Sequence, residues 1–229
     1  MLSLGLSGHV DWREPNNPAE KLLVCFALKQ EAAAFARRAH AAGRVVVLVT
    51  GMGLTNAAKA ARRAMSKGPY RAVFSCGFAA GLNPALAPGT VLFQTDHPQL
   101  EHALAKAGAV PGRFVLTQRL LVTAQDKQEL FVRTGADAAQ CESEAIKAAC
   151  AERGIPFATV RVVLDTADED LPYDFNRFLT KTYRFRYAKF FMAVALRPRK
   201  FHAIVELAQR CRQASRTLGD ALLRAIAEL

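Results

Sequence analysis

Residues 157–171 read FATVRVVLDTADEDL. The first half is a near-continuous β-branched and apolar run, as a strand with helices over both of its faces requires in a largely parallel sheet. At Asp165 the run stops and the chain turns acidic, with Asp168, Glu169 and Asp170 close behind. In open α/β sheets, ligands sit beyond the carboxyl ends of the strands. A carboxylate at the first polar position after a buried strand therefore stands where chemistry is done. The plainer alternative for Asp165 is capping, its side chain accepting backbone N–H bonds in a turn or at the next helix.

Working back towards the N-terminus, the same strand-then-helix alternation repeats. LLVCFAL within 21–31 is a buried-strand pattern, followed by an Ala-rich helix to Gly43. RVVVLVT (44–50) is a second strand, Gly51-Met52-Gly53 a tight turn, and Thr55 or Asn56 the expected cap of a helix to about Ser66. YRAVFSC (70–76) is a third strand, followed by the glycine-rich GFAAGL, and 90–94 a short fourth. Residues 102–108 and 127–133 read as helices, and 113–117 and 120–123 as short strands. Residues 142–153 form an amphipathic helix closed by Gly154. Beyond Pro172 come loop and helix over 174–196, a break at Pro198, and one long helix over 201–229. Its apolar stripe is Phe201, Ile204, Val205, Ala208, Leu218, Leu222 and Ile226. This order predicts an α/β fold with a largely parallel sheet and helices on both faces.

A chain of 229 residues buries roughly 70–75% of its unfolded surface, enough for one full core. The expected organisation is a lead-in over 1–20 and a single domain over 21–229, with 180–229 as a basic helical extension. No apolar run approaches the ~20 residues of a membrane-spanning helix, and the N-terminus lacks the pattern of a secretory signal. Five cysteines without close-pair spacing suggest buried free thiols in a reducing cytoplasm, not a zinc site or disulfide frame. The net charge of +11 is concentrated from Thr180 onward, where aromatics Tyr183, Phe185, Tyr187, Phe190 and Phe191 are interleaved with Arg and Lys. Such a segment reads either as a surface for phosphates or an anionic membrane, or as a solvated basic face with aromatics in a core.

Three strand ends carry glycine or acid: Gly51-Met52-Gly53, Gly77 to Gly81, and Asp165. The glycines let a ligand approach the backbone, but the spacing is neither a dinucleotide fingerprint nor a P-loop. Glu31, Glu142 and Glu144 are the further carboxylates near such loops, the last two facing different sides of one helix. Three acids from distant stretches suit cleavage through an oxocarbenium-like state, which needs an acid, a base and an acceptor for sugar hydroxyls.

Five segments, ALKQEAAAF (27–35), TGMGLTNAAKA (50–60), SCGFAAGLNPALAPGTV (75–91), CESEAI (141–146) and VRVVLDTADED (160–170), occur in the order and spacing of a known family. The chain resembles the nucleoside phosphorylase and nucleosidase superfamily, above all its methylthioadenosine/S-adenosylhomocysteine nucleosidase branch, over about residues 22–171. The resemblance implies a three-layer αβα sandwich with a twisted mixed sheet, and a homodimer. It implies that Asp165 protonates or hydrogen-bonds purine N7, that Glu31 positions the attacking water, and that Glu142 accepts the ribose hydroxyls. Cys141 stands where a methionine packs under the sugar, Met52 and Gly53 near the ribose, and Gly77 at the start of a loop beside the purine. For Asp165 to act as an acid its pKa must be raised, with Asp168 expected to supply part of the push. Phe78 replaces a serine of the nucleosidases, and the arginine that helps phosphorylases hold phosphate is absent just before Ser75. Gln140 and Cys141 likewise depart from the usual acid and methionine.

These features imply hydrolysis of a purine nucleoside or 5′-modified adenosine, with no metal or organic cofactor. The alternative is phosphorolysis, with phosphate as co-substrate, extending to a lipid-linked (adenosylhopane-type) nucleoside; hopanoid-associated phosphorylases resemble this chain in the apolar residue at 78 and the basic tail. A non-catalytic nucleoside binder ranks below both. A small-molecule nucleoside is the expected partner, nucleic acid is not, and 180–229 offers a peripheral membrane contact.

Overall fold

The computed structural model describes residues 21–39 and 43–229. The elements run β1 (Leu22–Phe26), α1 (Lys29–Ala39), β2 (Val45–Val49), α2 (Leu54–Met65), β3 (Ala72–Gly81), β4 (Val91–Thr95), α3 (Pro98–Lys106), β5 (Val110–Pro111) and β6 (Phe114–Leu116). They continue with α4 (Ala124–Thr134), β7 (Ala138–Gln140), α5 (Ser143–Ala151), β8 (Phe157–Asp165), α6 (Tyr187–Ala195) and α7 (Phe201–Ala227). The lead-in expected over 1–20 lies outside the described residues.

One sheet has the order β2-β1-β3-β8-β4-β5, with β7 pairing both β3 and β6. β2, β1, β3 and β8 are parallel, whereas β4 runs antiparallel to β8 and β7 antiparallel to β3. β5 also pairs parallel with β4, and β6 with β7, so the sheet is largely parallel, as the strand–helix order predicts, and mixed through β4 and β7, as the family resemblance implies. Helices cover both faces. On one, α1, α3 and α7 pack Phe35, Leu104, Leu218 and Leu222 against Phe26, Phe74 and Val160. On the other, α2 and α5 bring Ala61, Met65, Ile146 and Cys150 onto Leu23, Cys25 and Val73. Small residues let α7 close on α1: a Cβ at Gly219 would meet the Phe35 nitrogen at 3.1 Å, and Ser215 Oγ bridges the Glu31 carbonyl and Ala34 N–H.

Several local expectations are corrected. β3 continues through Gly77 to Gly81, so the expected loop at Gly77 is strand, held there by regular pairing with β8 from Val73 to Ala79. α2 is preceded by Gly53, with φ 86° and no side-chain cap; Thr55 and Asn56 lie inside the first turn, and Asn56 Nδ2 donates to the Met52 carbonyl instead. Residues 120–123 are not a strand, because the Leu120 N–H and carbonyl are taken by the Asn176 side chain. The short strands β5 and β7 carry too little alternation to be read from sequence. In α7 the apolar stripe is buried only from Ala214 onward; Phe201 and Val205 are exposed.

The register of β3 makes the site. Its first half pairs with β1 as far as Cys76↔Phe26. Its last residues pair with β7, at Ala80↔Ala139 and Gly81↔Ala138. Among the described residues, Gly77 to Ala79 therefore lack a strand on that flank, and a β-bulge interrupts the opposite flank between Ala79 and Ala80. The N–H groups left over there need acceptors from elsewhere.

Candidate active site

Glu31 fills that gap. It occupies the third position of α1, where a carboxylate can reach back to the helix start and is favoured by the helix dipole. Oε2 accepts the Leu28 N–H at 2.8 Å, and Oε1 accepts the unpaired Phe78 N–H of β3 at 2.9 Å. Gly77 makes room, since a Cβ there would stand 2.6 Å from Oε1. Burial raises the Glu31 pKa to about 7, opposed by the Phe78 N–H and reinforced by the charge of Glu142. A carboxyl group with that value exchanges protons near neutrality, the range a general base needs.

Glu142 immediately precedes α5. Its Oε1 accepts the Gly53 N–H at 3.2 Å, tying the Gly51-Met52-Gly53 turn to the site. Its Oε2 faces Arg161 Nη2 at 4.0 Å. Gln140 Oε1 takes the N–H groups of both Glu142 and Ser143, at 2.9 and 2.8 Å, and so closes the start of α5 from outside. Cys141 is half-buried, with Sγ 3.6 Å from Thr117 Oγ1; burial pushes its thiol up to about 11, which keeps it neutral.

Arg161 is the organising cation that a strand pattern hides. Fully buried in β8, it donates from Nη1 to the Ser75 carbonyl at 2.6 Å and from Nη2 to Ser143 Oγ at 2.9 Å and Ser75 Oγ at 3.2 Å. It thereby locks β3, β8 and α5 together behind Glu142. An arginine inside a β-branched run was the available signal, because a buried guanidinium must be paired.

Asp165 ends β8 in register with Ala80, about 7 Å further along β3 than Phe78. Its Oδ2 makes an ion pair with Lys127 Nζ. The Lys127 side chain is wholly buried and also donates to the carbonyls of Thr166 and Glu169 at 2.7 and 2.8 Å. Burial raises the Asp165 pKa, Lys127 opposes that shift, and Glu169 adds to it. Asp168 contributes nothing to the push. It is fully exposed, bonds Thr166 Oγ1 and has a lowered pKa. Lys127 was legible only as a lysine one turn before buried Leu130, a core spacing with the wrong chemistry.

Two more pieces enclose the site. Tyr183, with φ 58°, lays its ring over Gly53, where a Cβ would meet it at 2.7 Å, and donates its hydroxyl to the Gln118 carbonyl at 3.2 Å. Met52 is half-buried beside it. Phe78 is half-buried with its ring against the α1/α7 core, not free in the cleft. Cys211 on α7 is half-buried, and burial first, then the charges of Glu31 and Asp165, push its thiol up to about 11. The structure thus sets Glu31 against Gly77 and Phe78, and Glu142 against Gly53 with its charge acting on Glu31, while Asp165 stands further along β3 on its β8 flank. None of the three acids faces bulk solvent: Glu31 is 5% and Asp165 7% exposed, and the Glu142 side chain 13%. A separate cavity of about 330 Å³, lined by Asp96, His97, Glu144 and Phe157, opens at the start of β8, the wrong end of the strand for ligands of an open α/β sheet.

Known proteins resemble this chain in sequence and in fold. A 5′-methylthioadenosine/S-adenosylhomocysteine nucleosidase of Anoxybacillus flavithermus is 24% identical over 172 residues, covering 60% of this chain and 74% of that protein. The futalosine hydrolase structure of Helicobacter pylori superposes with a TM-score of 0.68 at 13% identity, covering 92% of this chain and 99% of that one. The 5′-methylthioadenosine/S-adenosylhomocysteine nucleosidase of Neisseria meningitidis, in complex with methylthio-immucillin-A, gives 0.67 at 18% identity, covering 92% and 100%. The family model described as the phosphorylase superfamily matches residues 28–108 and 98–197, a span containing Glu31, Glu142, Arg161 and Asp165, and the chain belongs to that superfamily.

Proposed function

We propose that the protein hydrolyses the N-glycosidic bond of a purine nucleoside, a 5′-modified adenosine being the favoured class. The observation that carries this reading is buried Glu31, with a pKa of about 7, set against Gly77 and Phe78 of β3 with the charge of Glu142 acting on it. Glu31 takes a proton from water as the water oxygen bonds to C1′. The C1′–N9 bond breaks, its electron pair moves into the purine, and Asp165 hydrogen-bonds or protonates N7 to stabilise that charge. Glu142 accepts the ribose hydroxyls, and Met52, Gly53 and Cys141 surround the sugar, while Phe78 contributes its backbone N–H to Glu31 and packs its ring against the core. Water is favoured over phosphate because Arg161, the cation nearest Glu142, spends its hydrogen bonds on Ser75, Ser143 and the Val160 carbonyl. Its guanidinium is fully buried rather than presented to an anion.

The relatives named above support the nucleosidase reading, and a cytoplasmic homodimer is proposed with it. Purified protein is incubated with adenosine, methylthioadenosine and S-adenosylhomocysteine, with and without phosphate, and free base and sugar product are identified. Equal release of adenine and free sugar in both conditions is expected. Strict phosphate dependence with a sugar 1-phosphate product would replace hydrolysis by phosphorolysis. Thermal stabilisation without turnover, indifferent to Asp165→Asn, would reduce the protein to a nucleoside binder.

A further inference from the structure

Helix α6 has its polarity inverted. It buries no residue, and the arc it turns outward carries Tyr187, Phe191, Met192 and Leu196, which are 58%, 64%, 66% and 76% exposed. The opposite arc is anchored. Phe190 meets Phe178, Phe185 and Tyr173 edge to face, ring centroids 5.3–6.0 Å apart, and the Tyr173 hydroxyl donates to the Ala193 carbonyl. The orientation of α6 is therefore set by its own small aromatic core, and the apolar side is left outside. Beyond Pro198 the surface continues through Phe201 and Val205 at the start of α7, 59% and 36% exposed. Contiguous exposed apolar surface of this kind marks an interaction site.

Charge decides the partner. Between Asp174 and Glu206 the sequence contains eight Lys and Arg residues and no carboxylate. A second copy meeting this face about a two-fold axis would set the same cations against each other. A nucleic acid would satisfy the cations and use aromatic platforms, but would leave Met192 and Leu196 uncovered. An anionic bilayer satisfies both chemistries: the apolar arc enters the boundary between headgroups and acyl chains, while Lys and Arg reach the headgroup phosphates.

We infer that α6 and the turn leading to Val205 dock this protein on the surface of a membrane carrying anionic lipid, with α6 lying in the plane of the interface. The segment leading into α6 reaches the candidate site, where the Tyr183 ring covers Gly53. The inference does not depend on the reaction proposed above.

Flotation of the full chain with vesicles tests it. One set is phosphatidylcholine alone and the other an equal mixture with phosphatidylglycerol, each at low and high salt. Binding to the mixed vesicles only, weakened by salt, is expected. Phe191→Ser with Leu196→Ser, and separately Arg197→Gln with Arg199→Gln, should each weaken partitioning roughly tenfold or more. Both double variants should keep the wild-type melting curve and turnover of a soluble nucleoside. Absence of flotation, or equal flotation of wild type and variants, overturns the inference. So does retention of a duplex oligonucleotide where vesicles are not bound, or a dimer that dissociates in the Phe191/Leu196 variant without vesicle binding.

Discussion

Lys127 Nζ and Asp165 Oδ2 form an ion pair across the end of β8, with the lysine side chain completely shielded from solvent. The carboxylate proposed to serve the purine nitrogen is therefore held by a cation from α4. Burial favours the neutral acid and Lys127 the charged one, so occupation of the purine position shifts a balance already built into the protein.

Lys127→Met should destabilise the fold by about 3 kcal/mol, the cost of breaking a buried pair from one side. With the cation gone, burial and Glu169 leave the Asp165 pKa raised further. A raised carboxyl pKa contributes stability at low pH that is lost as pH rises through the folded value. The variant should thus lose more stability at pH 8 than at pH 5, as read by urea melts. Adding Asp165→Asn should restore much of the loss at pH 8.

Glu31 titrates from 4.5 unfolded to about 7 folded. Its contribution to stability is full below the unfolded value, falls through about pH 7 and is constant above. The difference between wild type and Glu31→Gln should change by about 3 kcal/mol across that window, from about 1.4 kcal/mol per pKa unit. Chemical denaturation of the free protein at stepped pH measures it. In kinetics, kcat/KM of wild type should fall below a limb near pH 7, and Glu31→Gln should lose 10²-fold or more in kcat.

Gly77→Ala places a methyl group 2.6 Å from Glu31 Oε1. Either β3 or the carboxylate must shift, and a displacement near 1 Å in a reacting geometry costs about 10²-fold. Turnover should drop by that order while far-ultraviolet circular dichroism stays unchanged.

Arg161→Met should remove the support behind Glu142 and leave the Ser75 carbonyl and the Ser143 hydroxyl without their guanidinium donor, the Ser75 hydroxyl keeping only the bond from Ser143. A loss of about 3–5 kcal/mol is expected, with KM for the nucleoside rising because Glu142 loses its orientation. Arg161→Lys should recover only part, since a point charge cannot replace the planar fork.

The acids at 31, 142 and 165 were legible because each follows a recognisable strand or opens a helix, and five short motifs flank them. The order β1-α1-β2-α2-β3 and the strand ending at Asp165 were equally plain from β-branched runs. Lys127 and Arg161 were not, because a charged residue at a core spacing carries no mark of its partner until the chain has folded. Asp168 illustrates the converse: proximity in sequence suggested an electrostatic role that its exposure removes.

Sequence by itself determined the alternation of strands and helices, the family motifs and the basic, aromatic character of the 174–205 segment, since these rest on periodicity and composition within short windows. The tertiary structure alone decided that β3 exchanges β1 for β7 and leaves a gap for Glu31, that Asp165 meets Lys127, and that α6 turns its apolar arc outward. Each of these depends on pairings between residues far apart in the chain, and such pairings are fixed by which surfaces can be buried together, not by any local preference.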